Sequence, residues 1–224
     1  MRNISILLFI LVIMLSSCFP TNHQFIEETG FIVNLNSPSI SIGTIEMQTD
    51  KILGVGLNKL NADVAYYPDE DAVCMSYKHE FYNYKLFWSY EGREAFINAL
   101  DTYKVDYENR KLNKNSLVKK TRYGRTPAYL GWQSLAFLFQ YRAKNEITLG
   151  YYFKSRAPYF AVTQKPAEFI DKDSNINNAK SAEQTMYFTR AQADVLAVLF
   201  DPVFLRGLDL KNLRRISDVD VDVY

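Results

Sequence analysis

Short segments in which apolar and polar residues alternate recur along most of the chain, and they restrict it to a fold rich in antiparallel strands. The clearest begins at Ile147, from which every second residue to Phe153 is large and apolar. Successive side chains of a strand point to opposite faces, so each segment has one face for a core. Turn-like residues, Asn58 to Asn61 among them, separate the segments. The predicted strands are 39–48, 52–57, 63–67, 72–79, 84–88, 129–132, 135–142, 147–153, 159–164 and 184–188.

Two amphipathic helices are predicted, each directly after a strand. Ser89 is placed to cap a helix over 90–109 whose apolar residues recur at helical spacing. Thr189 and Gln192 have the spacing of a capping box and open a second helix, which Pro202 ends.

The segments 85–101 and 185–201 share one form: an aromatic pair, a hydroxyl cap, an acid, an apolar helix and an Asp. The equivalent residues, 100 positions apart, are Ser89 and Thr189, Glu94 and Asp194, and Asp101 and Asp201. Any strand followed by a capped helix would look similar, so chance remains the alternative to duplication. The predicted fold class is α+β, with antiparallel β-sheet meanders each followed by a covering helix. The two pseudo-repeats are 39–109 and 126–201, joined by a basic connector, 110–125.

The N-terminus has the order of a secretory signal: Arg2, then an apolar run from Ile6 to Leu15, then small residues. The sequence Leu15-Ser16-Ser17-Cys18 resembles the lipobox of bacterial lipoproteins. That resemblance implies cleavage between Ser17 and Cys18 and lipidation of Cys18. The predicted organisation is a signal peptide over 1–17, a tether over 18–30 and a single domain over 31–224. An ordinary signal peptide, or a buried N-terminal helix, with a chance cysteine is the alternative.

Lipidation of Cys18 would hold the protein on a membrane through two or three acyl chains, which anchor far better than one. The predicted location is therefore the bacterial cell envelope, with the outer membrane or cell surface favoured over the inner membrane. Removing 1–17 takes away Arg2, so 26 basic residues become 25, equal to the 25 acidic ones. A neutral total favours no polyanionic or polycationic partner, and the charge distribution has to decide.

No pattern of catalytic residues occurs, so the chain is predicted not to be an enzyme and to need no cofactor or metal. The histidines, His23 and His79, are too few for a metal site, and His79 beside Glu80 is interpreted as an exposed strand end. With Cys18 lipidated, Cys74 is the remaining cysteine, and it is predicted to be a small buried apolar residue. That excludes a disulfide framework.

The strongest surface feature is a run of basic residues without an acid. Its members are Arg110, Lys111, Lys114, Lys119, Lys120, Arg122 and Arg125. Basic residues among aromatics are typical of surfaces that bind single-stranded nucleic acid. In element order alone, the chain is similar to the Pur-alpha and Whirly single-strand binders. No nucleic acid is expected, however, because an exported protein does not meet the chromosome.

Three functions stay open. The first is a non-catalytic binding or scaffolding role in the envelope, favoured because 16 tyrosines exceed what a core needs and surface Tyr favours protein contacts. The second is binding of anionic lipid or another envelope polyanion by the basic run, whose simplest interpretation is a solvated connector. The third is an enzyme with an unrecognised site.

Overall fold

The described residues form a closed antiparallel β-barrel with helices packed against it. The computed structural model describes residues 37–51, 56–114, 122–134, 140–169 and 179–208. The strands are β1 (Ile40–Asp50), β2 (Leu57–Tyr67), β3 (Ala72–His79), β4 (Tyr82–Trp88), β5 (Arg122–Ser134), β6 (Gln140–Lys154), β7 (Ala157–Gln164), β8 (Glu168–Phe169), β9 (Ala179–Lys180) and β10 (Gln184–Phe188). The helices are α1 (Tyr90–Glu108), α2 (Arg190–Phe200) and α3 (202–208), and Pro68–Glu70 forms a 3-10 turn.

Eight strands make the barrel in the order β1-β2-β3-β4-β5-β6-β7-β10, and β10 pairs with β1 to close it. Every neighbouring pair is antiparallel. The closing register places Gln48 opposite Tyr187 and Thr49 opposite Met186. The strands β8 and β9 pair separately with each other, in the connection between β7 and β10.

The predicted α+β class, with two sheet meanders each covered by its own helix, is wrong. The strands before and after α1 share one sheet, because β4 pairs directly with β5 although α1 lies between them in sequence. Leu86 is opposite Leu130 in this pairing. The two helices do not cover separate sheets either. They contact each other, through rings of Phe96 and Phe200 whose centroids are 5.1 Å apart and through an ion pair between Lys104 and Asp194.

Two predicted strand breaks are also wrong. Asn58 to Asn61 lie inside β2, where Lys59 pairs with Gln48 and Asn61 with Glu46. Residues 143–146 likewise lie inside β6. In β2 the polar side chains of Lys59 and Asn61 are on the exposed outer face, so polarity there marks the solvent side of a strand rather than a turn.

The predicted helix starts are confirmed. The Ser89 side chain accepts a hydrogen bond from the Gly92 amide, and Thr189 forms the full capping box with Gln192. Each cap satisfies amide groups that a helix start leaves without partners. Among the described helices, none is long and apolar enough to cross a membrane.

An aromatic cluster joins the helices to the barrel core. The Trp88 ring, at the end of β4, lies 5.8 Å from Phe96 and 5.1 Å from Phe200, measured between centroids, and Phe96 lies 5.3 Å from Phe160. All four side chains are fully buried. Such ring pairs contribute about 0.5–1.5 kcal/mol each beyond the area they bury. The cluster therefore fixes α1 and α2 at this end of the barrel.

Candidate functional site

The helices cover one end of the barrel and leave the other end to a cavity. Helix α2 reaches the start of β1, where Leu199 lies against Gly43, and α1 packs on Trp88 at the end of β4. The cavity is formed by the opposite strand ends and has a volume of about 380 Å³. That volume is within the range of about 300–1,000 Å³ that is typical of ligand sites. The residues that matter most in its lining are Thr49, Asp50, His79, Tyr84, Trp132 and Gln184.

A chain of buried polar side chains runs inward from the cavity wall. The Nε2 atom of Gln184 lies 3.2 Å from Nδ1 of His79, and the Tyr77 hydroxyl lies 3.0 Å from Oε1 of Gln184 and 3.1 Å from Oε1 of Gln164. Outside this chain, the Nε2 atom of His79 lies 3.8 Å from Glu80. A continuous polar chain connects the rim of the cavity to the interior of the barrel.

The number of protons in this chain limits how its members can be arranged. The Tyr77 hydroxyl has one proton and can donate it to one amide oxygen at a time. Gln184 is held at both ends, by Tyr77 and by His79. Gln164 is therefore the amide free to turn its NH₂ group towards the Tyr77 oxygen. In the structure, the Nε2 atom of Gln164 is buried without a hydrogen-bond partner among the described residues.

Thr49 is the second buried polar group without a partner, and it lines the cavity directly. Its side chain is 2% exposed, and its hydroxyl has no hydrogen-bond partner in the described part of the chain. A buried hydroxyl without a partner costs about 1–3 kcal/mol. Met186 lies opposite Thr49, so Gln184, two residues earlier on the same face of β10, is a diagonal neighbour of Thr49.

Aromatic side chains form another part of the wall. The Tyr84 and Trp132 side chains are almost fully buried, whereas Tyr82 is about one-third exposed at the mouth. Burial first, then the neighbouring Tyr82 and Glu80, raises the pKa of Tyr84 to about 12. Burial also raises the pKa of Tyr77. Both hydroxyls are thus neutral at physiological pH; that of Tyr77 bonds the two glutamines, and that of Tyr84 bonds Gln184.

Of the charged residues that line the cavity, Asp50, Glu80 and Lys180 contact other side chains, whereas Lys51 and Glu183 are exposed at the rim. Asp50 accepts hydrogen bonds from Lys154, at 2.5 Å, and from the Tyr187 hydroxyl, at 2.7 Å. Lys180 lies 3.2 Å from Glu168. The inner wall of the cavity, in contrast, presents the hydroxyls of Thr49 and Ser181, the Gln184 amide, the His79 ring and aromatic rings.

The connection between β7 and β10 supplies the remaining wall. The Ser181 amide donates to the Ala167 carbonyl, and the Ser181 hydroxyl accepts from the Ala167 amide, both at 2.9 Å. This reciprocal pair extends the small β8–β9 sheet by one residue and fixes the segment that carries Lys180 and Ser181 into the cavity lining.

The structure spreads the predicted anion-binding residues over different elements. Arg110, Lys111 and Lys114 follow α1 and are exposed. Arg122 and Arg125 belong to β5, and Arg125 lies 3.6 Å from Glu146. Lys119 and Lys120 lie outside the described residues, so the proposed anion surface as a whole stays a prediction.

Arg110 alone of the described basic-run residues lines a second cavity of about 380 Å³, at the end of α1. Arg190 also lines this cavity, and its guanidinium lies 4.0 Å from the centroid of the Tyr107 ring. Glu108 shares the lining. The lining of this cavity therefore carries both signs of charge and does not favour an anionic ligand.

Of the remaining sequence predictions, some are confirmed, one is wrong and others lie outside the described residues. Ser17, Cys18 and His23 lie outside the described residues. Cys74 is buried as predicted, and its burial raises the pKa of its thiol to about 11, so it is protonated at physiological pH. His79 was interpreted as an exposed strand end, but its side chain is 12% exposed and contacts Gln184. In the described ranges, no three His, Cys, Asp or Glu side chains cluster as metal ligands.

The cavity residues are not among the predicted site residues, although the sequence contains a signal for them. In 45–49 the inward positions read Ile45, Met47 and Thr49, and in 184–188 they read Gln184, Met186 and Phe188. A polar residue at the apolar phase of an alternating strand marks a buried polar group. Such residues at the ends of several strands identify the polar end of the barrel.

The fold and the cavity together define the class of the protein: a closed antiparallel β-barrel with two helices over one end and a polar cavity at the other. A family model described as "Uncharacterised Treponema protein" matches residues 39–204, which is more than half of the chain. The chain belongs to this family. Neither the curated proteins nor the solved structures include a match.

Proposed function

We propose that the protein is a lipid-anchored protein of the bacterial cell envelope whose barrel binds a small molecule without transforming it. The observation that carries this proposal is the cavity at the open barrel end, lined by the buried Thr49 hydroxyl that has no partner among the described residues. Natural proteins rarely keep such a group unless water or a ligand completes it.

Three further features support the proposal. The inner wall combines aromatic rings with a few fixed polar groups, which is the composition typical of small-molecule sites. The lipobox-like Leu15-Ser16-Ser17-Cys18 supports a membrane anchor ahead of the barrel. The Gln184 amide, held by both Tyr77 and His79, is preorganised for a binding role.

Native mass spectrometry of the full chain tests the proposal. The chain is expressed in a bacterial host, extracted from membranes with detergent, and examined for a bound small molecule. Ala182 lines the cavity and is exposed, so Ala182→Trp should fill the mouth and lose the bound mass. Ala191→Trp is the matched control, because Ala191 is exposed on α2 and does not line the cavity.

The anchor is tested in the same preparation. Cys18→Ser should leave the chain uncut or release it from the membrane fraction, since the residue that would receive the lipid is gone. Normal processing with full membrane retention in Cys18→Ser would contradict the anchor. A bound mass that is equal in the parent, Ala182→Trp and Ala191→Trp would contradict the binding site.

A further inference from the structure

The chemistry of the cavity wall indicates which class of molecule it accepts. Resting on the proposed function, we infer that the ligand is an uncharged polyhydroxylated molecule, a neutral sugar or polyol, bound between Thr49 and Gln184. The charge of the inner wall, the hydrogen-bonding capacity of its polar groups and its aromatic rings all favour such a ligand.

Charge comes first. The buried part of the wall consists of Thr49, Ser181, Gln184 and aromatic side chains, which are uncharged at physiological pH, and of the His79 ring, whose Nδ1 atom faces the Gln184 amide. The charged side chains lie at the rim, where Asp50 and Lys180 are engaged with Lys154 and Glu168 and the remaining ones are Lys51, Glu80 and Glu183. An ionic ligand drawn into the inner part would lose hydration without a buried counter-charge to replace it. A neutral ligand avoids this cost.

The polar groups of the wall have hydrogen-bonding capacity that the described residues do not use. The Thr49 hydroxyl can donate one hydrogen bond and accept two, and none of this capacity is used by the described residues. The Gln184 amide uses its oxygen on Tyr77 and its nitrogen on His79 and Tyr84, so its oxygen can accept one more bond. The site thus offers neutral donors and acceptors together. Hydroxyl groups are both donor and acceptor, so a ligand with several hydroxyls can match them.

The spacing of these groups suits a ring with several hydroxyls. Thr49 and Gln184 are diagonal neighbours across the β1–β10 pair, and such neighbours lie about 7–8 Å apart. One small ring can reach both. Tyr82, exposed at the mouth with its ring 6.0 Å from that of Tyr84, offers an apolar face for the C–H side of a sugar.

A titration panel tests the inference on the full chain in detergent. The probes are neutral mono- and disaccharides and alditols, compared with glucuronate, glucosamine and nucleosides, and binding is measured by calorimetry. At least one neutral sugar or polyol should bind more tightly than its charged analogues. Thr49→Val keeps the shape and removes the hydroxyl, so it should weaken that binding about fivefold or more, the equivalent of one net hydrogen bond.

Thr163→Val is the matched control, because its hydroxyl bonds Thr185 at 3.0 Å and it does not line the cavity. It should leave binding unchanged. Preferential binding of charged probes or nucleosides, or sugar binding that Thr49→Val does not weaken, would overturn the inference. If another compound binds and Ala182→Trp abolishes its binding, the sugar inference fails while the proposed function stands. If Ala182→Trp affects no ligand, both fail.

Discussion

At the scale of single residues, the partner-free hydroxyl of Thr49 leads to a prediction about stability in the absence of ligand. Thr49→Val removes a buried polar group that has no hydrogen bond from the described residues. The free energy of unfolding should therefore stay the same or rise by about 1 kcal/mol. Urea unfolding of the ligand-free full chain in detergent measures it. Thr163→Val, which loses its bond to Thr185, should instead be destabilised or neutral.

Thr49→Val distinguishes a ligand-binding hydroxyl from a structural one, because the two cases predict different changes in the stability of the ligand-free chain. Removing a purely structural hydroxyl would lower the stability. Removing a ligand-binding hydroxyl would weaken binding and would not lower the stability of the ligand-free chain. A loss of more than about 1 kcal/mol in ligand-free Thr49→Val would indicate a structural partner for this hydroxyl.

Residue-level prediction succeeded where the chemistry is local and failed where it depends on distant strands. The burial of Cys74 follows from its apolar neighbours in β3. The environment of His79 does not, because its partner Gln184 is 105 residues away in sequence. The cavity joins ends of strands from both halves of the chain, so single segments do not show it.

At the scale of elements, the cap of α2 should be worth a measurable share of the stability. Thr189→Ala removes the hydroxyl that accepts from the Gln192 amide at 3.3 Å. We expect a loss of about 1 kcal/mol in the free energy of unfolding. Thr189→Ser should retain most of it. Thr102→Ala is the matched control, because Thr102 is exposed within α1 and its hydroxyl donates to the Asn98 carbonyl of its own helix.

A loss for Thr102→Ala equal to that for Thr189→Ala would remove the case for capping. Both helix starts were predictable because a cap is a contact within four residues, and Ser89 and Thr189 carry the required hydroxyls. The extents of β2 and β6 were not predictable in the same way. Their polar stretches lie on the outer face of the barrel, and that face is defined only once the neighbouring strands are in place.

At the scale of the whole molecule, buried tyrosines should make the fold sensitive to alkaline pH. Burial raises the pKa of Tyr77 and Tyr103 and, with nearby groups, raises that of Tyr84 from 10.0 to about 12. A folded-state pKa above the unfolded value gives stability that is complete below pH 10 and is lost as the pH rises towards the folded value. Unfolding free energy should thus fall from about pH 10 upward.

Urea unfolding across this range, with tyrosinate absorbance followed in parallel, checks the pH dependence. Tyr84→Phe removes one of the raised groups, so its stability should fall less steeply between about pH 10 and pH 12 than that of the parent. An identical slope in parent and variant would contradict a raised pKa at Tyr84.

The fold class was mispredicted for a reason that belongs to the whole chain. Alternation located most strands, and it indicated antiparallel pairing between consecutive ones. It contained no information that β4 and β5 pair across α1, or that β10 returns to β1. Those two pairings turn separate meanders into one closed barrel, and the helices then share one end of it.

The closing pair of strands also has a consequence for how the protein folds and opens. Among the described residues, two register pairs join β1 to β10, Gln48–Tyr187 and Thr49–Met186, whereas β5 and β6 pair along most of their length. The side chains of Asp50 and Tyr187, which bond across this seam, are 137 residues apart in sequence. A short contact between distant segments forms late and opens early. A molecule held by both Thr49 and Gln184 would bridge that seam, and amide hydrogen exchange in β10 would slow when it binds.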